Sequence, residues 1–88
     1  MDKMAIIELA RNFLASKVKA LQFSEDICVE RRKLYDVTEQ DKKVLNCGEE
    51  LFMVAELYNP DTDREDYELD ETGLRKEVKA TLEKFNLL

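Results

Sequence analysis
One proline and two glycines are all that this 88-residue chain provides for sharp turns. A β-sandwich needs turn residues about every 8–12 positions, so the scarcity argues against hairpins and for helices. Strong helix formers (Ala, Leu, Glu, Lys and Arg) dominate instead. The length suits one domain spanning residues 1–88. A chain of this size buries roughly 60–65% of its unfolded surface, enough for a small core without disulfide or metal staples.

Apolar spacing divides the chain into four helical stripes. Over residues 4–15, Ile6, Leu9, Ala10 and Phe13 recur at the spacing of one helical face, widened by Ile7 and Leu14. Ser16-Lys17-Val18-Lys19 then turns the chain. A second helix is expected from Ala20 to Tyr35, with Ala20, Phe23, Ile27 and Leu34 inward. Arg31 falls where the next apolar residue belongs, which implies a side chain snorkelling along the core edge. Thr38 and Asp41 have the spacing of a capping box in the connection 36–44. The third helix is expected from Leu45 to Tyr58, with Leu51, Phe52 and Ala55 inward and Gly48 allowing a close approach. Asn59-Pro60 ends it, because the residue before a proline is pushed out of helical geometry. Residues 59–70 read as an acidic loop with one short chance of structure around Arg64–Tyr67. Asp70 is the expected N-cap of the last helix, with Glu71 at the positive end of its dipole. Leu74, Val78, Leu82 and Phe85 form the fourth stripe. The expected fold is all-α, an antiparallel four-helix bundle.

Charge is distributed unevenly. The net charge is −6, yet Glu49 to Glu71 holds ten acids and one base, and the remainder holds ten acids and thirteen bases. Phosphates would be repelled by the acidic block, so it points to a basic protein partner and away from nucleic acid. The bland alternative is a solvated acidic face with no partner. The run ERRK at 30–33 is too short and too scattered around its helix to argue for nucleic acid. No apolar run approaches the roughly 20 residues needed to cross a bilayer, so no membrane association is expected. The N-terminus lacks the unbroken apolar core of a signal peptide, which suggests a cytoplasmic protein.

Little in the chain suggests catalysis. There is no histidine, which removes Cys–His nucleophiles and most zinc sites. Cys28 and Cys47 read as reduced core thiols. Asp61, Asp63 and Glu65 have the spacing that opens a calcium loop, but Asp66 stands where its glycine belongs and Thr72 where its bidentate glutamate belongs. No glycine-rich phosphate loop or catalytic triad is present. We expect no enzyme activity, no cofactor and no metal.

The third helix carries the more specific pattern. Glu49, Met53 and Glu56 stand at i, i+4 and i+7, on the flank away from the Leu51/Phe52/Ala55 stripe. Glu56 and Asp61 bracket the proline and can share one acidic surface. A carboxylate at the negative end of a helix dipole costs roughly a few tenths of a kcal/mol. A residue that breaks a local preference is a candidate for function. Glu68 reads as an exposed loop acid of no special importance.

Four stretches, MDKMAIIELARNFLASK, FSEDICVERRKLY, LNCGEELFMVAELYNPDTDR and GLRKEVKATLEKF, resemble the colicin D immunity protein family over nearly the whole chain. The resemblance implies an antitoxin built as an antiparallel four-helix bundle. Its partner would be the C-terminal nuclease domain of a colicin D-like toxin, a ribonuclease that cleaves arginine tRNAs in the anticodon loop. It implies a monomer that forms a 1:1 heterodimer and covers the toxin's active site, with carboxylates standing where tRNA phosphates would lie. The matching ELYNPD stretch gives Glu56 and Asp61 the central roles, with Asp63, Glu65 and Asp66 beside them. A small acidic helical adaptor for some other basic protein is the alternative.

Overall fold
The computed structural model describes residues 4–34 and 41–88. Their four helices form an antiparallel bundle: α1 (Ala5–Leu14), α2 (Ala20–Leu34), α3 (Lys42–Glu56) and α4 (Glu71–Lys84). Each helix packs on its neighbour in the chain, and α1 also packs against α3 and α4. None of the helices among the described residues is long and apolar enough to cross a membrane.

The apolar stripes meet in one buried cluster. α1 contributes Ile6, Ile7, Ala10 and Phe13, and α2 contributes Ala20, Phe23 and Ile27. From α3 come Cys47, Leu51 and Ala55, and from α4 Leu74, Val78 and Leu82. Ile7 is fully buried whereas Leu9 and Leu14 are only partly so, which rotates the inner face of α1 slightly from the expected one. Phe13 stacks on Phe23 with centroids 4.7 Å apart. Each such buried ring contributes about 1.5–3 kcal/mol through the apolar area it removes from water. Gly48 lies against Ile6, but a Cβ there would sit 3.5 Å from the Ile6 side chain, an ordinary contact. The approach of α1 and α3 therefore does not require a glycine.

Helix ends follow local chemistry. α3 starts at Lys42, a turn earlier than the apolar periodicity suggests, because Asp41 is its N-cap and accepts the Lys43 backbone N–H at 2.8 Å. Asp41 thus caps α3 itself; Thr38, its expected partner, lies outside the described residues, as do Tyr35 and the side chain of Leu34. α3 ends at Glu56 and not at Tyr58. Asp70 caps α4 as expected, accepting the Gly73 N–H at 2.8 Å, with Glu71 in the first turn. α1 and α4 both close in the left-handed manner that usually calls for glycine. Ser16 (φ 62°) and Asn86 (φ 56°) supply that conformation. Lys17 N–H donates to the Asn12 carbonyl and Leu87 N–H to the Leu82 carbonyl.

Arg31 does lie along the core edge. Its guanidinium sits 4.2 Å from the centre of the Phe52 ring, and its Nε donates to both Glu49 carboxylate oxygens at 3.1 and 3.3 Å. Phe52 is therefore half-buried under an arginine and not part of the inner core. Arg75 repeats the arrangement on the other side, over Phe13 at 4.5 Å and donating to the Phe13 carbonyl.

Candidate functional site
The acidic segment is an ordered loop tied shut at its base. Leu69 N–H donates to the Leu57 carbonyl at 2.7 Å and Asn59 N–H to the Leu69 carbonyl at 2.9 Å. These bonds form a short parallel bridge between Tyr58 and Leu69, so the chain leaves α3 and returns to nearly the same place. Inside the loop, Asn59 acts as an Asx turn: its Oδ1 accepts the Asp61 N–H at 2.9 Å. Its Nδ2 donates to both oxygens of Glu68 at 3.3 Å. Glu68 Oε1 also accepts the Glu65 N–H at 2.9 Å, closing a turn whose Glu68 N–H donates to the Glu65 carbonyl. This is the short structured element expected near Arg64–Tyr67. Arg64, the only base of the segment, donates to the Asp61 carbonyl at 2.7 Å and lies 3.8 Å from the Asp70 carboxylate.

Glu68 is thus half-buried and bonded, which corrects the reading of it as a bland exposed acid. Its role, with those of Asn59 and Arg64, was missed in the sequence. Asn directly before Pro-Asp is a turn signal that flags Asn59; nothing local says which acid turns inward.

The remaining acids point outward. Glu56, Asp61, Asp63, Glu65 and Asp66 are all exposed. Among the described residues, none of their carboxylates has an ion pair or a side-chain hydrogen bond. Glu56 closes α3, and the other four sit on the loop that the bridge returns to the same helix end. Tyr67, 69% exposed, stands among them. The result is a local negative field with one internal cation, Arg64, occupied in holding the loop.

Two expected members of the surface stand apart. Glu49 lies on the same flank of α3 but is half-buried, with its carboxylate held by Arg31. Met53 is 61% exposed and lines a groove between α3 and α4. The basic run at 30–33 is divided in the same way: Arg31 is engaged by Glu49 and Lys33 lies 3.3 Å from Glu30.

The thiols differ from each other. Cys47 is fully buried, and burial, aided by the charge of Glu50, pushes its pKa from 9.0 up to about 11. Such a thiol stays protonated and is a poor nucleophile. Cys28, expected in the core, is half-buried and donates its S–H to the Ser24 carbonyl at 3.4 Å. Both are free of disulfide. Among the described residues no three acidic or cysteine side chains converge as metal ligands would.

A family model described as bacterial self-protective colicin-like immunity matches residues 1–85. No curated protein matches the chain.

Proposed function
We propose, because the chain belongs to the bacterial self-protective colicin-like immunity family, that its outer carboxylates cover the active site of a colicin D-type tRNase toxin domain. Glu56 and Asp61 stand there in the place of tRNA phosphates, with Asp63, Glu65 and Asp66 around them and Glu49 and Met53 at the border. One observation carries the reading: four exposed carboxylates without partners among the described residues share a loop that Asn59, Arg64 and Glu68 hold in one shape, and a fifth, Glu56, closes the helix that the loop leaves. Like charges held together repel one another, and a basic partner relieves the repulsion. A tRNase must present Lys and Arg to the RNA backbone, so the same residues receive a negative protein surface. Because the loop is already ordered, little conformational entropy is lost on binding. The protein acts as a monomer in a 1:1 complex in the cytoplasm of the toxin producer and does no chemistry itself.

The test is kinetic and uses a panel of colicin D-type nuclease domains. Each of Glu56→Gln and Asp61→Asn keeps shape and removes charge. Losing one partner of a water-excluded charge pair costs about 2–5 kcal/mol, so the double variant loses most of its affinity while its thermal stability is unchanged. Association of the wild type slows steeply as the screening length falls from about 10 Å at 0.1 M salt to about 3 Å at 1 M. A double variant binding within about tenfold of wild type overturns the phosphate-mimic reading, since tenfold is only about 1.4 kcal/mol.

A further inference from the structure
A shallow groove of about 380 Å³ runs between α3 and α4. Met53, Val54 and Leu57 line it from α3, and Glu77 and Ala80 from α4. Met53 is 61% exposed and Leu57 37%, one helical turn apart. They are the exposed large apolar side chains of this helix and its cap. At one end the groove is closed by the ion pair of Lys84 with Glu50, at 2.7 Å. At the other end it opens onto the acidic loop, because Leu57 follows Glu56 and its carbonyl holds the loop base through Leu69.

The charges in the groove do not cancel. Lys84 is the one base lining it and is occupied by Glu50. Glu77 has no cation beside it: its backbone carbonyl accepts the Thr81 hydroxyl, and its carboxylate has neither ion pair nor hydrogen bond among the described residues. The groove is therefore an apolar trough with one unopposed carboxylate. An acidic or phosphate group would be repelled. A long side chain with an aliphatic stem and a cationic head matches both parts.

We infer that the groove seats one lysine or arginine side chain of the toxin domain, its methylene stem on Met53, Val54 and Leu57 and its cation on Glu77. The assignment rests on the proposed function and extends the partner surface beyond the acidic block to α4. It also divides the labour of binding. The surrounding carboxylates Asp63, Glu65 and Asp66 chiefly speed and orient the encounter, whereas the water-excluded contacts, those of Glu56 and Asp61 and that in the groove, slow dissociation. Met53, flexible and polarisable, adapts to the stem it meets.

The experiment measures association and dissociation rates of the full chain against the same panel of colicin D-type nuclease domains. Met53→Ala and Glu77→Gln each dissociate about tenfold faster with association nearly unchanged, the pattern of a lost short-range contact. Glu83→Gln, which alters a carboxylate of α4 already facing Lys79 at 3.8 Å, stays within about twofold of wild type. Both groove residues are exposed, so thermal unfolding of these variants matches wild type. If neither Met53→Ala nor Glu77→Gln changes the dissociation rate more than about twofold, the groove assignment is overturned; the loop reading survives when the Glu56/Asp61 double variant still weakens binding. An effect of Met53→Ala without one of Glu77→Gln makes the occupant apolar and overturns the cation. Failure of the wild type to bind any member overturns the proposed function, and the groove assignment with it.

Discussion
Residues 15–19 join α1 to α2, and residues 57–70 join α3 to α4. The first connection is short, carries Lys17 and Lys19, has no acid, and is closed by backbone bonds from Ser16 and Lys17 back to Phe13 and Asn12. The second is long and acidic; backbone bonds close its base and one inner turn, from the Glu68 N–H to the Glu65 carbonyl, and the rest of its interior depends on the side chains of Asn59, Arg64 and Glu68. A short connection can be determined by the helix end it leaves. A long one has more backbone polar groups than its own turns can satisfy, so polar side chains must supply partners. In this loop that requirement sorts the acids into two kinds. Glu68 and Asp70 face the scaffold, and Asp61, Asp63, Glu65 and Asp66 are left outside with their charge unspent.

The strongest way to break this comparison is to remove an inner acid. Glu68→Met keeps roughly the size of the side chain but removes both oxygens, which accept from Asn59 Nδ2 and from the Glu65 N–H. We expect a stability loss of about 1 kcal/mol by denaturant titration, since bonds to a charged group are at stake in a half-exposed site. Hydrogen exchange at Glu65 should quicken with it. Asp63→Asn, on the outside, should stay within about 0.5 kcal/mol. Equal effects at the two positions would remove the distinction between inner and outer acids.

A smaller effect of opposite sign is expected in the short connection. Ser16 holds a left-handed backbone that costs an L-residue roughly 1–2 kcal/mol. Ser16→Gly should raise stability by about 0.5–1 kcal/mol, the gain being reduced by the greater freedom of glycine in the unfolded chain. Affinity for the partner should not change. A destabilised Ser16→Gly would mean that the serine side chain, and not the backbone, holds the turn.

An effect confined to high pH, and absent at neutral pH, belongs to the core, away from both connections. In the folded chain the Cys47 thiol stays protonated up to about pH 11, whereas the unfolded thiol ionises above about 9. The folded state then holds more protons than the unfolded state, so this contribution is complete below pH 9 and is lost as pH rises through 11. Cys47→Ala should flatten that part of the stability profile. An unaltered slope would assign the loss to other groups.

Much of the fold was legible because its signals are local. The stripes of α1 to α4 repeat within one or two turns, and Asp70 reaches an N–H only three residues away. Ser16-Lys17-Val18-Lys19 could be read as a break because nothing apolar continues the α1 face through it. The early start of α3 was missed because Lys42 and Lys43 add no apolar period; Asp41 was a visible N-cap, set aside for a partner at Thr38. The acidic block, too, was apparent as composition.

Which acids are free is a different kind of question. Glu49 and Glu56 sit on the same flank of one helix, yet Glu49 is neutralised because α2 brings Arg31 to it, eighteen positions away in the chain. Glu50 is matched by Lys84, thirty-four positions away, while Glu77 on the same groove has no ion pair among the described residues. Helical periodicity and capping depend on contacts within a few residues, so the sequence alone determined four helices, their inner faces and an acidic connection. Ion pairs and grooves depend on which helices lie side by side, and only the tertiary structure decided which carboxylates are held by a cation or a donor and which stay exposed without one among the described residues.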